Sequence, residues 1–478
     1  MGANHAWVAP GQLIGDWLSA QAHLPQYLEA RARVAGAARR VASLSELCSR
    51  ITQGPNPQYT SNDYPCVITR NVTSDQLQMS GSNWVSAEEF SRLQRFKLQR
   101  GDILVTLKGA GSTGKACVFD TDVEAIHSRE VGVVRVSDSM LNPRFLCAYF
   151  QGRFGRLLFD QGTTGSTGQL TLSTTYLKSF PVPLPDRRIQ DYIGAKVELA
   201  ERCRAAAEDH WQKAVGLFQS LFTWSAPPQF SLTSVPAVAE LSGRLDPKYY
   251  RREYLDAVRE IMACEHGWEP IGDLVAEVSN GVEYRQFCSD GVPYLTVTNV
   301  GDGDLDTDGA PRIPVDAPIS DRGRIAESDV LVVRTGSIGQ AAVVQRDAAN
   351  AIISSHFIRL RLHKGDLGQG AWLAFFLNTE LGKALQFRIA YGAVQPQIGQ
   401  DELLRLPVPR LKAEVRRALV RGFLSRSALR AHARQLVNEA KADVEALIEG
   451  TLDVQAILSG TVKAPTADDI PELVEDGA

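Results

Sequence analysis

The sequence predicts an α/β protein built twice: two mixed α/β domains in tandem repeat, joined by two long antiparallel helices. Three observations predict it. Asp186 to Phe222 and Glu414 to Ile448 each carry one continuous helical stripe of apolar residues. Each follows the same phrase, Leu177 and Pro181-Val182-Pro183 before the first, Leu403 and Pro407-Val408-Pro409 before the second. An offset of 227 pairs Trp17-Leu18 with Arg244-Leu245, and also Tyr27-Leu28 with Tyr254-Leu255, Gly54 with Gly281 and Asp102 with Asp329. The chain reads as a tandem duplication of nearly its full length.

The expected division follows from that repeat. Residues 1–185 form the first repeat, 186–222 a central spacer helix and 223–243 a linker rich in Pro, Ser and Thr. Residues 244–410 form the second repeat, 411–450 a distal spacer helix and 451–478 a C-terminal tail, whose acidic end from Pro465 lacks a core pattern and is expected to be disordered. Each repeat opens with a helix, Leu24 to Ala38 or Tyr249 to Cys264. Short apolar strands follow: Cys66 to Ile68, Ile103 to Leu107, Ala116 to Phe119 and Gly132 to Val136 in the first, and Tyr294 to Val297, Val330 to Val333, Ala341 to Val344 and Phe357 to Leu362 in the second. A shorter helix closes each set, around Arg144 to Phe159 and Ala371 to Ala390. At 1.5 Å per residue the first spacer helix would span roughly 55 Å, more than one small domain needs, so it requires a partner, and the second stripe supplies one.

Composition narrows the classes. The chain has 478 residues, 44% of them hydrophobic, which is enough for two full cores. No apolar run approaches the ~20 residues of a membrane span, and the first ten residues lack the basic start and apolar core of a secretory signal. Seven scattered cysteines without a CxxC pair favour a reducing, cytoplasmic setting and argue against zinc. The formal net charge of −4 does not advertise a nucleic-acid binder, yet attraction to phosphates depends on where Lys and Arg sit.

Several motifs suggest chemistry. Gly109-Ala-Gly-Ser-Thr-Gly-Lys115 fits most of a phosphate-binding P-loop, but Ala116 stands where the magnesium-holding hydroxyl belongs, and a strand follows instead of a helix. It is read as a glycine-rich turn between strands, matched by Gly336-Ser-Ile-Gly339 in the second copy. Asn56-Pro57-Gln58-Tyr59 is close to the base-holding loop of adenine-N6 methyltransferases, without its second proline or a methyl-donor loop upstream; it is read as a turn. His127 and His356 fall near each other in the repeat but not at one position, and are read as core or loop histidines. No catalytic set recurs in both copies. Polar recognition chemistry does recur. Arg70-Asn71-Val72 matches Thr298-Asn299-Val300, and Gln169-x-x-Leu172 matches Gln395-x-x-Ile398. Asn, Gln and Arg present the paired donors and acceptors that fit base edges. The candidates for base readout are Arg70, Asn71, Ser112, Thr113, Gln169, Thr298, Asn299, Ser337, Gln395 and Gln397, and those for phosphates are Lys108, Lys115, Arg129 and Arg334.

These paired features, with the duplicated Gly101-Asp-Ile-Leu-Val105 and Ser328-Asp-Val-Leu-Val332 stretches, resemble the DNA-specificity subunits of type I restriction-modification enzymes over nearly the whole chain. The Arg244-Leu245-Asp246 stretch is closer to related type IIB-like and other defence-system specificity subunits. The resemblance implies two target-recognition domains, each reading half of a split double-stranded DNA site, and a non-catalytic chain. It implies two DNA adenine methyltransferase subunits as partners, docked on the helices, with a restriction or other effector subunit beside them. S-adenosylmethionine would sit only on those partners; no cofactor or metal is expected on this chain. The stripe residues Ile193, Trp211, Phe218, Leu429, Leu436 and Val444 are the candidates for docking. The competing readings are a two-headed protein-interaction scaffold that binds no DNA, and a nucleic-acid enzyme using the Asn56 loop.

Overall fold

The computed structural model describes residues 20–471 except 39, 110, 138, 166–169, 228–243, 245, 302 and 393. The chain divides into two compact units, the first made of residues up to Ala205 with Arg430–Pro471, the second of Ala206–Leu429. Most of the predicted linker and the last seven residues of the tail lie outside the described residues.

The larger sheets of the two units repeat one plan, while a small two-stranded sheet differs in each, Thr163–Thr164 with Thr171–Leu172 in the first and Val300–Gly301 with Asp304–Leu305 in the second. In the first, a four-stranded antiparallel sheet runs in the order Cys48–Gln53, Val131–Val136, Ile103–Thr106, Ala116–Val118. In the second the order is Val275–Asn280, Phe357–Leu362, Val330–Val333, Ala341–Val343. Even the register irregularity in the first strand recurs, between Cys48 and Arg50 and between Val275 and Glu277. A three-stranded sheet lies in each unit, centred on Tyr64–Val67 or Val292–Leu295 and combining one antiparallel with one parallel neighbour. The Pro-Val-Pro phrases form two-stranded edges, Pro181–Pro183 with Val41–Ser43 and Pro407–Pro409 with Trp268–Pro270. Proline is tolerated there because an edge strand leaves one side of its backbone unpaired.

The predicted closing helices each prove to be two. Pro143–Gln151 and Arg153–Gln161 meet at Gly152, whose extended backbone (ψ 167°) breaks the ladder. Leu367–Asn378 and Glu380–Ile389 meet at Thr379, whose hydroxyl accepts from Gly382 N and caps the second. The apolar pattern runs through both breaks, so periodicity alone joins the pieces. A Cβ at Gly155 would lie 2.1 Å from the Tyr149 carbonyl, and at Gly382 2.0 Å from that of Phe376, so each corner depends on glycine.

The recurring aspartate of the Gly-Asp-Ile-Leu-Val stretch has a structural task. Asp102 is buried and accepts from both Arg135 Nε and Nη2 at 2.7 Å, and from Gln99 N at 2.8 Å. Asp329 repeats this with Arg361 at 3.0 and 2.9 Å and with Ala326 N at 2.9 Å. The pair staples the central strand of each sheet to its neighbour.

The long helices are Arg187–Gln219 and Ala413–Glu449, and they run antiparallel. In the first unit Arg188 bonds the Leu458 carbonyl while Lys196 meets Glu439 and Asp443 at 3.3 and 2.8 Å, so rising numbers on one strand of chain meet falling numbers on the other. In the second unit the Trp211 ring lies 6.3 Å from that of Phe423, and Phe218 shares a core with Leu419. The α/β fold with two tandem domains and two antiparallel helices is thus as the sequence predicts.

The stripe on these helices is spent inside the chain. Ile193 and Val444 belong to the first unit's core, and Phe218 to the second's. Leu429 and Leu436 are buried as well, and Trp211 packs edge-on to Phe375 with the Arg426 guanidinium over its face. The expectation that these six side chains dock partner subunits is therefore corrected. Periodicity shows that a face is buried without showing by what. The predicted disorder of the tail is also corrected in part, since Thr466 caps a short 3-10 turn, Ala467–Asp469, which lies beside Ala195 and Glu198 of the first long helix.

Candidate nucleic-acid interface

In the first unit, loops from separate parts of the chain converge on one open cleft of about 670 Å³. Asn56, Pro57 and Tyr59 form one wall, Thr69, Arg70 and Thr73 a second, and Asn83, Ser112, Lys115 and Glu130 complete it. The glycine turn sets Ser112 and Lys115 there. Gly109, Gly111 and Gly114 all have positive φ (141°, 70° and 77°), a region costly to any residue with a Cβ. The turn joins the antiparallel strands Ile103–Thr106 and Ala116–Val118, which confirms the turn reading of the P-loop-like stretch.

The structure brings together the two features that recur in sequence. Lys108 bridges Thr171, and Gly109 N donates to the Leu170 carbonyl, so the glycine turn lies against the polar loop. In the second unit Thr335 bridges Gln397, and Tyr391 and Gln397 exchange backbone bonds of 2.9 and 2.8 Å, closing a small loop. Gln395 is exposed near its tip, and its neighbour Val394, missed by sequence reasoning, is 99% exposed. Gln169 lies outside the described residues. Ser337 and Thr298 are exposed, the latter's hydroxyl sharing a 2.8 Å bond with that of Thr296.

Three candidates for base readout are corrected. Asn71 is fully buried: its Oδ1 accepts from Ile68 N at 2.8 Å, and its Nδ2 donates to the Gln78 and Ser80 carbonyls. Asn299 does the same work, its Oδ1 accepting from Thr296 N and Oγ1 at 2.9 Å. Thr113 is buried with its hydroxyl bonded to the Gly109 and Leu170 carbonyls. A buried polar side chain whose bonds are spent on backbone has nothing left to offer a base.

The cations have the opposite character. Arg70, Lys108, Lys115, Arg129 and Arg334 are exposed or half-buried, and among the described residues none of them pairs with a carboxylate. Some arginines elsewhere are matched, as Arg100 and Arg144 are with Asp120 and Arg361 with Asp329, while others such as Arg95 and Arg322 have no ion pair among the described residues. An unmatched cation beside a polar loop is free to contact a phosphate. The Arg70 guanidinium is steered by Asn83 Oδ1 at 3.3 Å. Burial, with a contribution from the Cys66 thiol, pushes the Tyr59 phenol up to about 12, so it is a neutral donor.

The histidines fit their sequence reading. His127 is buried, with Nδ1 2.9 Å from the Val131 carbonyl and its ring edge-on to Phe96; burial pulls its pKa down to about 4, so it carries no charge. Among the described residues no group of His, Cys, Asp and Glu could hold a metal ion, and no helix is long and apolar enough to cross a membrane.

Each unit thus places cations without carboxylate partners, and polar loops, beside its glycine turn. Residues 43–203 match the family described as the type I restriction modification DNA specificity domain, in agreement with the resemblance read from the sequence. The chain is also similar to the S subunit of a type I restriction-modification system from M. genitalium, at 11% identity over 86% of this chain and 96% of that one, with a TM-score of 0.44. The HsdS subunit from Thermoanaerobacter tengcongensis is similar at 17% identity over 86% of this chain and 97% of that one, with a TM-score of 0.29. No curated protein matches the chain.

Proposed function

We propose that the chain is the sequence-reading component of a DNA modification or restriction complex, in which each unit reads one half of a split double-stranded site. The observation that carries this reading is the first unit's cleft, where Arg70 and Lys115 stand without carboxylate partners among Asn56, Asn83 and Ser112. Arg70, a base-readout candidate in the sequence, is reassigned here as an exposed cation: with Lys108, Lys115 and Arg129 it holds phosphates or steers the duplex in the first unit, and Arg334 does so in the second. Ser112 in the first unit, and Thr298, Ser337, Gln395, Gln397 and Val394 in the second, face base edges; an apolar tip such as Val394 suits a thymine methyl.

Methyltransferase subunits, in this reading, dock on the outer faces of the long helices, where Ala205, Glu208 and Gln212 are exposed, because the inner stripe is already occupied. The chain supplies recognition, and the partners supply S-adenosylmethionine and the methyl transfer.

The test is binding of mixed-sequence duplex DNA across a salt series. Lys115→Ala should weaken all duplexes alike and reduce the slope of log affinity against log salt by about one unit. Arg70→Ala should reduce the slope similarly. Unchanged affinity and slope in both variants would remove the cleft from the interface. A wild-type protein without salt-dependent DNA binding would favour the protein-scaffold reading.

A further inference from the structure

Glu130 is out of place in a cleft that meets phosphates. It lies in the turn between Ile126–His127 and Val131–Val136, and its carbonyl accepts from Leu107 N at 2.8 Å, which fixes its backbone against the central sheet. Its carboxylate makes no hydrogen bond or ion pair among the described residues, although Arg70 and Lys115 line the same cleft. Tyr59 lines the same cleft.

The second unit defines the same position independently. There Arg334 N donates to the His356 carbonyl at 2.8 Å, as Leu107 N does to Glu130, and His356 precedes Phe357–Leu362 as Glu130 precedes Val131–Val136. The matching residue of His356 is thus Glu130 and not His127. One structural position carries an acceptor-only carboxylate in one copy and an imidazole in the other. Such a difference at a fixed backbone site is what two units reading different half-sites require.

A carboxylate repels phosphates and the acceptor atoms of guanine, so it is tolerated at a duplex only opposite a donor. Adenine offers its N6 amino group beside the N7 acceptor, which repels a carboxylate. Cytosine offers its N4 amino group beside a carbon-bound hydrogen. Resting on the DNA-reading function above, we infer that Glu130 accepts a hydrogen bond from the N4 amino group of a cytosine in the half-site read by the first unit, and so fixes that base.

The experiment is selection of bound sequences from a randomised duplex DNA library by the full-length protein and its Glu130→Gln and Glu130→Ala variants. The wild type should return a split motif with an invariant cytosine at one position of one half. Glu130→Gln should lower the preference for cytosine there about tenfold and admit adenine, whose paired N6 and N7 a carboxamide fits. Glu130→Ala should make the position indifferent. The other half of the motif must persist in both variants, which shows that they are folded, and His356→Ala should alter that other half alone. A motif unchanged in both Glu130 variants overturns the inference while leaving the DNA-reading function standing. Failure of the wild type to enrich any sequence overturns both.

Discussion

Replacing Asp102 with alanine is expected to destabilise the first unit by about 3 kcal/mol, the lower part of the range for breaking a buried ion pair, because Arg135 keeps 21% of its side chain in water. Asp102 itself is 1% exposed and accepts three bonds, so its removal strands the Arg135 guanidinium and the Gln99 amide together. Asp329→Ala should cost the second unit less, because Arg361 keeps 38% of its side chain in water and retains Glu277 at 3.4 Å. Urea unfolding followed by circular dichroism checks both, and the double change Asp102→Leu with Arg135→Met should recover most of the loss, since an apolar pair of similar volume has nothing left unsatisfied. A cost below about 1 kcal/mol for the single change would mean that the recurring aspartate serves something other than the sheet.

Under the proposed function, lengthening the two long helices together should change the spacing of the site and nothing else. Four residues inserted at Ala205-Ala206 add about 6 Å and slightly more than one turn. Ala205 is exposed and the position falls where the first unit gives way to the second, as Leu429-Arg430 does on the antiparallel helix, so four residues inserted there as well keep the two helices in register. At about 3.4 Å per base pair, the preferred gap between half-sites should grow by one or two pairs, because bending a short duplex to absorb the mismatch costs several kcal/mol. Sequence selection with the inserted protein checks it. New bases within the half-sites, or an unchanged gap in a folded protein, would show that the helices do not set the spacing.

Much of the fold was legible because burial leaves a periodic signature. The strands Val330–Val333 and Phe357–Leu362 stand where their apolar runs put them, and the long helices differ from their stripes by only a few residues. What periodicity could not show was interruption. Gly152 and Thr379 break helices whose apolar pattern is continuous, and the signal lies in cap chemistry that a stripe conceals. It also could not show what covers a face, and so the docking residues were misplaced.

The candidate site was legible in part for a related reason. Arg70, Ser112 and Lys115 were found because recurring loops and glycine turns mark them, and they share one cleft. Asn71 and Asn299 were misread because an asparagine that caps a turn and one that reads adenine are the same residue, and only burial separates them. Asn83 and Glu130 were missed as site residues because they reach the cleft from separate loops. The Asn56 loop was noticed and set aside as a turn; its place on the cleft wall depends on chain packing that no local motif encodes.

The central claim is that two units read two halves of one DNA site. The most direct measurement is genome-wide detection of methylated bases in cells with and without this chain, its partner subunits unchanged. The account predicts a methylated motif present only with the chain, made of two unlike half-sites separated by a gap of fixed length. A methylation pattern that is the same in both cells, or a motif that is continuous and symmetric, would contradict it.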